Sequence, residues 1–205
     1  MNTKQLLVIF IVIFSLIVFS SALYGAPANN SAGTATATML ANTCAGCHGT
    51  KGSSVGPASP TIAGISYDYF IETMKGYQSG ERPSTIMSRI AKGYSEKEIE
   101  LMADYFSKQS FVRLPQNYDA NAARRGKKLH KKYCGKCHEE DGRSAEDDAG
   151  ILAGQWEPYL RFTLEDFTSG NRPMAKKKKE RMNKLDKAHG EAGIDDLVHF
   201  YAGQQ

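Results

Sequence analysis

Apolar residues in this chain recur at three- and four-residue steps, the period of helices that bury one face. Phe70, Ile71, Met74 and Tyr77 keep that spacing between Tyr67 and Ser79. Ser95-Glu96-Lys97-Glu98 has the form of a capping box, and the helix it starts carries Ile99, Met102 and Phe106 on one side. Asp119 is placed to cap a helix running to Cys134, and Pro158 suits the first turn of the next. Ile194, Leu197, Val198 and Tyr201 mark a last helix, and a short early one carries Met39 and Leu40 into Cys44. No segment alternates apolar and polar residues as a half-buried strand does, so the pattern predicts an all-α fold.

Residues 1–26 break the pattern. Lys4 is followed by an apolar run from Leu6 to Phe19 and then by Ser20-Ser21-Ala22, which is the plan of a secretory signal peptide. Cleavage is expected after Ala22, because Pro27 disfavours a cut after Ala26. The run is short for a bilayer span, so an uncleaved leader would be the chain's only membrane contact. No cysteine lies near it, which excludes a lipid-anchored start. Residues 27–37 read as a flexible lead-in, 38–108 as a first domain, 109–118 as a linker broken by Pro115, and 119–205 as a second domain.

The chemistry is concentrated in Cys44-Ala-Gly-Cys47-His48 and Cys134-Gly-Lys-Cys137-His138, which use all four cysteines. Two thiols one helical turn apart, with a histidine directly after the second, are the arrangement for covalent haem c attachment. The thiols form thioethers to the porphyrin edge, and His48 or His138 binds iron. Zinc would require further ligands at short spacing after each pair, and here the second pair follows a domain's length later. A thioredoxin-like pair would require a βαβ context.

The halves match without a gap. Adding 90 to the numbers from Cys44 to Pro83 superposes the motifs, Gly52 on Gly142, Ala63-Gly64 on Ala153-Gly154, Tyr69 on Tyr159, Ser79-Gly80 on Ser169-Gly170, and Arg82-Pro83 on Arg172-Pro173. A register that long implies a duplicated domain with one haem per copy. Residues 49–64, rich in Gly, Ser and Pro, read as a loop over one edge of a flat cofactor. Glu146-Asp147-Asp148 falls where the first copy has Gly56-Pro57, so the second loop must differ in shape. Each copy is too small to build a generous core from side chains alone; haem completes it, and apoprotein is expected to be poorly folded.

The formal net charge is +4. Before residue 115 there are 9 Lys and Arg against 7 Asp and Glu, and from there on 17 against 15, so each part carries +2. No basic lobe points to nucleic acid.

A methionine opposite the histidine favours reduced iron and suits electron transfer. Met87 is the first-domain candidate, whereas Met74 and Met102 lie on apolar helical stripes. In the second domain Met174 follows Arg172-Pro173, while Met182 keeps Met87's spacing to the last helix, 12 residues before Ile194 as Met87 is before Ile99. The residues alone leave that choice open. His130, His189 and His199 are alternative ligands at positions resembling exposed or half-buried helix sites. Trp156 is expected to pack near the second haem, with a partner-facing anchor as the alternative.

From about Met39 onward the chain resembles the dihaem cytochrome subunits of flavocytochrome c sulfide dehydrogenases. The resemblance is carried by Ser54-Val55-Gly56-Pro57-Ala58-Ser59-Pro60, by Ser84 to Ser95 (STIMSRIAKGYS), by Ile151 to Leu160 (ILAGQWEPYL), by Arg172-Pro173-Met174, and by the ending Phe200-Tyr201-Ala202-Gly203-Gln204-Gln205. It implies two tandem class I cytochrome c domains packed face to face, each wrapped around one covalently bound haem, with Met87 and Met174 as sixth ligands. It further implies a periplasmic subunit, non-catalytic by itself. A flavin-binding sulfide dehydrogenase subunit would reduce it during sulfide oxidation, and a soluble acceptor cytochrome would oxidise it. The alternative is a free-standing dihaem shuttle between a respiratory membrane complex and a terminal oxidase. A haem enzyme proper fits less well, since every cysteine is used in attachment and a methionine is available to each iron. Lys176 to Lys179 departs from the family, and reads as a solvated helix face or as a dock for an acidic acceptor.

Overall fold

The computed structural model describes residues 35–146 and 149–205. The leader and Asp147-Asp148 lie outside the described residues. Residues 35–205 form one compact unit, and helices are its only regular structure among the described residues.

The first half contains α1 (Ala37–Asn42), α2 (Ala45–His48), α3 (Tyr67–Ser79), α4 (Met87–Ile90) and α5 (Glu96–Ser107). Local chemistry sets their ends. Thr36 caps α1, Ser66 caps α3, and Ser95 with Glu98 makes a complete capping box on α5. Leu40, Phe70, Met74, Ile99, Met102 and Phe106 are buried together, and the rings of Phe70 and Phe106 stack at 5.5 Å. Met74 and Met102 are core residues, as their stripes predict.

Residues 109–119 carry no helix, and the second half follows as α6 (Ala120–Leu129), α7 (Glu139–Gly142), α8 (Glu157–Thr168) and α9 (Lys176–Ala202). The Asp119 carboxylate accepts from the amides of Asn121 and Ala122. The turn His130–Cys134 between α6 and the motif is a π-helix. The last helix begins at the lysine run rather than near Ile194, and Gly190 at φ 56° and ψ −150° breaks it. Its later part crosses α6 so closely that a Cβ on Gly126 would lie 2.7 Å from the Cβ of Phe200. Beside this crossing Arg125 grips the buried Asp196 through Nε and Nη2 at 2.9 and 2.7 Å. Leu129, Leu160, Met182, Leu185, Leu197, Val198, Phe200 and Tyr201 fill this half.

The two halves interlock. The Thr61 amide donates to Gln155 Oε1 at 2.9 Å, and Gln155 Nε2 donates back to the Thr61 carbonyl at 3.0 Å. Both residues are buried. Trp156 Nε1 donates to the Ser54 carbonyl at 3.3 Å, and its ring lies so close to Gly56 that a Cβ there would meet it at 2.8 Å. The sole tryptophan is therefore a wedge between the copies.

Candidate functional site

Each cysteine motif is a single helical turn built the same way. The amides of Cys47 and His48 donate to the Cys44 carbonyl at 3.2 and 2.9 Å, and those of Cys137 and His138 to the Cys134 carbonyl at 3.1 and 3.0 Å. One turn thus places two thiols and an imidazole on one side of the chain. Cys47 and Cys137 are exposed, whereas Cys44 and Cys134 are half-buried, and no two of the four form a disulfide. Burial pushes the Cys44 and Cys134 thiols up, the opposite of what an activated redox thiol needs. Among the described residues no group of three or more His, Cys, Asp or Glu gathers as a metal cluster, and a zinc centre built from the two motifs would require one.

The buried His48 fits an axial role. Its Nδ1 lies 2.7 Å from the Pro60 carbonyl. A carbonyl only accepts, so the proton sits on Nδ1 and the Nε2 lone pair is left for iron. Burial lowers the His48 pKa, opposed by that hydrogen bond. The Nδ1 of His138 is buried and approaches the Gly150 carbonyl without reaching good hydrogen-bond geometry. Burial first and then the Lys178 ammonium lower its pKa to about 4, while the Gly150 carbonyl, at the register position of Pro60, acts the other way. Both imidazoles are thereby favoured in the neutral, ligating form.

Met87 opens α4 and packs half-buried against the first core. Met174 is half-buried against the second core, and Met182 lies within it. His130, expected at an exposed or half-buried helix position, is fully buried, with Nδ1 2.9 Å from the Tyr201 hydroxyl. Phe200 and Tyr201 cover it, because α9 folds back over the π-turn. His189 meets Tyr133, and His199 meets the Asp119 amide. The lysine run is mostly solvated, but the Lys178 ammonium lies 3.5 Å from the centre of the Phe167 ring.

The repeated Tyr and Arg residues gain a role that the sequence did not reveal. Arg82 of the first copy donates to the Tyr159 hydroxyl of the second at 3.0 Å and to Thr73 Oγ1 at 2.7 Å. It also lies over the rings of Tyr77 and Tyr69. Burial raises the Tyr69 pKa, but the nearby charges of Arg82 and Arg172 outweigh it and hold the phenol well below its usual range. Matching residues of the duplication therefore act on each other across the junction. Arg82 is 8% exposed and has no carboxylate partner among the described residues. A buried cation without a counter-charge is costly, and the carboxylates that every haem carries fit that need. The residues present therefore fit two covalently held haems.

The model described as Cytochrome c matches residues 34–110, and that described as Cytochrome C oxidase, cbb3-type, subunit III matches residues 121–200. Cytochrome c4 of Stutzerimonas stutzeri is 30% identical over 149 residues, which cover 63% of this chain and 69% of that protein. The chain belongs to the dihaem class I cytochromes c. The crystal structure of reduced recombinant cytochrome c4 from Pseudomonas stutzeri shares the fold of this dihaem cytochrome with a TM-score of 0.70 at 23% identity, covering 82% of this chain and 97% of that one. The cytochrome subunit of sulfide dehydrogenase from Chlorobaculum tepidum is 44% identical over 72 residues, 35% of this chain. The dihaem cytochrome spans 64% of the length of that relative. Two covalent haems and an electron-transfer role are thus properties of this cytochrome.

Proposed function

We propose that this cytochrome is the periplasmic, non-catalytic electron-carrying subunit of a flavin-dependent sulfide dehydrogenase. The observation that carries the reading is the 44% identity to the cytochrome subunit of sulfide dehydrogenase. An apolar, secretory-type leader supports export, and the domains extend over 38–108 and 119–205. Cys44, Cys47, Cys134 and Cys137 hold the thioethers, with His48 and Met87 on the first iron and His138 and Met174 on the second. Each haem supplies an iron that changes by one electron. The protein sets the rest. Pro60 fixes the His48 tautomer, the Gln155–Thr61 pair and Trp156 hold the two copies in register, and Arg82 with Arg172 would supply the positive charge that haem carboxylates require. Electrons enter singly from the flavoprotein and leave to a soluble acceptor cytochrome.

A free-standing shuttle is the second reading, favoured by the extent of the cytochrome c4 match, 149 residues against 72. Purification of the native protein separates the two. The first reading expects a flavoprotein to co-purify and sulfide to reduce the haems. A flavin-free protein that sulfide leaves oxidised, but that a respiratory membrane fraction reduces, overturns it in favour of the shuttle.

A further inference from the structure

The 90-residue register matches residues 34–48 with residues 124–138. The first stretch contains no Lys, Arg, Asp or Glu, whereas the second contains seven bases and no acid. Duplication began with one sequence, so this difference was acquired around equivalent cysteine motifs. Lys128, Lys131, Lys132 and Lys136 are exposed, as is Cys137 directly after the last of them. Arg181 of α9 donates to the Lys132 carbonyl at 3.2 Å, which brings the N-terminal part of that helix alongside. Lys177, Arg181 and Lys184, spaced four and three residues apart on α9, are also exposed.

The acids nearby do not cancel this charge. Asp141 pairs with Lys127 at 3.2 Å and Asp196 with Arg125 at 2.7 Å. Glu139, Glu140, Glu180 and Asp186 are exposed, yet residues 124–141 still hold seven bases against three acids. The matching surface of the first copy has Lys51 as its one charge over residues 34–51 and shows exposed Met39 and Val55, at 63% and 78%.

We propose that the face around Cys137, formed by Lys128, Lys132 and Lys136 with Arg181 of α9, docks an acidic redox protein. This rests on haem attachment at Cys134 and Cys137. Exposed bases around a thioether edge attract an acidic partner over roughly a Debye length, about 10 Å at 0.1 M salt, and raise the encounter rate. The neutral face around Cys47 gives no such steering, so the two ends of the molecule select partners of different chemistry.

The test uses the full, haem-loaded protein and acidic plant plastocyanin as the oxidant probe. Stopped-flow oxidation of the reduced cytochrome should slow about tenfold as salt rises from low ionic strength to roughly 0.5 M. The combined Lys128→Glu, Lys132→Glu and Lys136→Glu variant should lose about tenfold at low salt and lose the salt dependence, with haem content and spectrum unchanged. Lys132→Gln alone should shift the rate in the same direction by less. Arg89→Glu with Lys92→Glu in the first half should leave it unchanged. A wild-type rate in the triple variant, or a salt-independent rate in the unaltered protein, overturns the docking face. So does a triple variant that keeps its plastocyanin rate and loses only adhesion to phosphatidylglycerol vesicles, since the face then meets lipid. One haem per unaltered chain would instead overturn the attachment reading, and haem content measures that separately.

Discussion

The two copies of the duplicated domain share their cysteine motifs and the Tyr and Arg residues that meet at the junction, and differ in the residues of the interlock and in the charge around the motifs. The motif turns have the same amide-to-carbonyl hydrogen bonds, and Tyr69 with Arg82 and Tyr159 with Arg172 meet at one junction. By contrast, the first copy approaches its motif through the six-residue α1, and the second through the ten-residue α6 and a π-turn studded with lysines. The backbone after the motif also diverges. Lys51 alone among non-glycine residues of the first copy has a positive φ, whereas Glu140 and Asp141 both do in the second. The motif turns and the Tyr and Arg residues were held, whereas Thr61, Gln155 and Trp156 of the interlock correspond to Ile151, Ile65 and Ser66 of the other copy, so part of the junction is built from unlike residues.

The strongest way to break this comparison is to remove one attachment at a time. Replacing Cys44 and Cys47 with Ala, or Cys134 and Cys137 with Ala, should in each case lower iron from two per chain to one, measured by metal analysis and the haem absorption spectrum. A pair whose loss leaves two irons would remove the equivalence of the copies.

Iron ligation sharpens it next. Met174→Ala should halve the weak red sulfur-to-iron absorption band of the oxidised protein. Met182→Ala should keep the band and cost about 2–5 kcal/mol in denaturant unfolding, as truncation of a buried methionine does. The reverse result assigns Met182 to the iron.

The smallest effect concerns the junction. Gln155→Ala leaves the amide and carbonyl of buried Thr61 without their partner, at roughly 1–3 kcal/mol. Calorimetry should then resolve two transitions where the unaltered protein shows one. A single unshifted transition would show that the clamp does not couple the halves.

Much of the fold was legible because its signals are local. The α3 range, the α5 capping box, the Asp119 cap and Pro158 at the start of α8 all depend on residues within one turn of each other. The full reach of α9 was not, since a lysine-rich first half shows no apolar stripe and a backbone break at Gly190 interrupts the period. At the site, the cysteine motifs announced themselves by spacing. What Arg82, Trp156, Gln155 and His130 do depended on partners 71 to 102 residues away, which no short pattern reveals. The internal repeat did contain one usable hint: Tyr69, Tyr159, Arg82 and Arg172 match between the copies, though they are neither cysteine motif nor helix stripe.

Gln155 uses both ends of its amide on a single residue of the other copy. Two antiparallel hydrogen bonds resist sliding and twisting alike, so the backbone on either side of the junction is held at one spacing. Haems attached at the two motifs would then exchange electrons without waiting for hinge motion, with single-exponential kinetics insensitive to solvent viscosity.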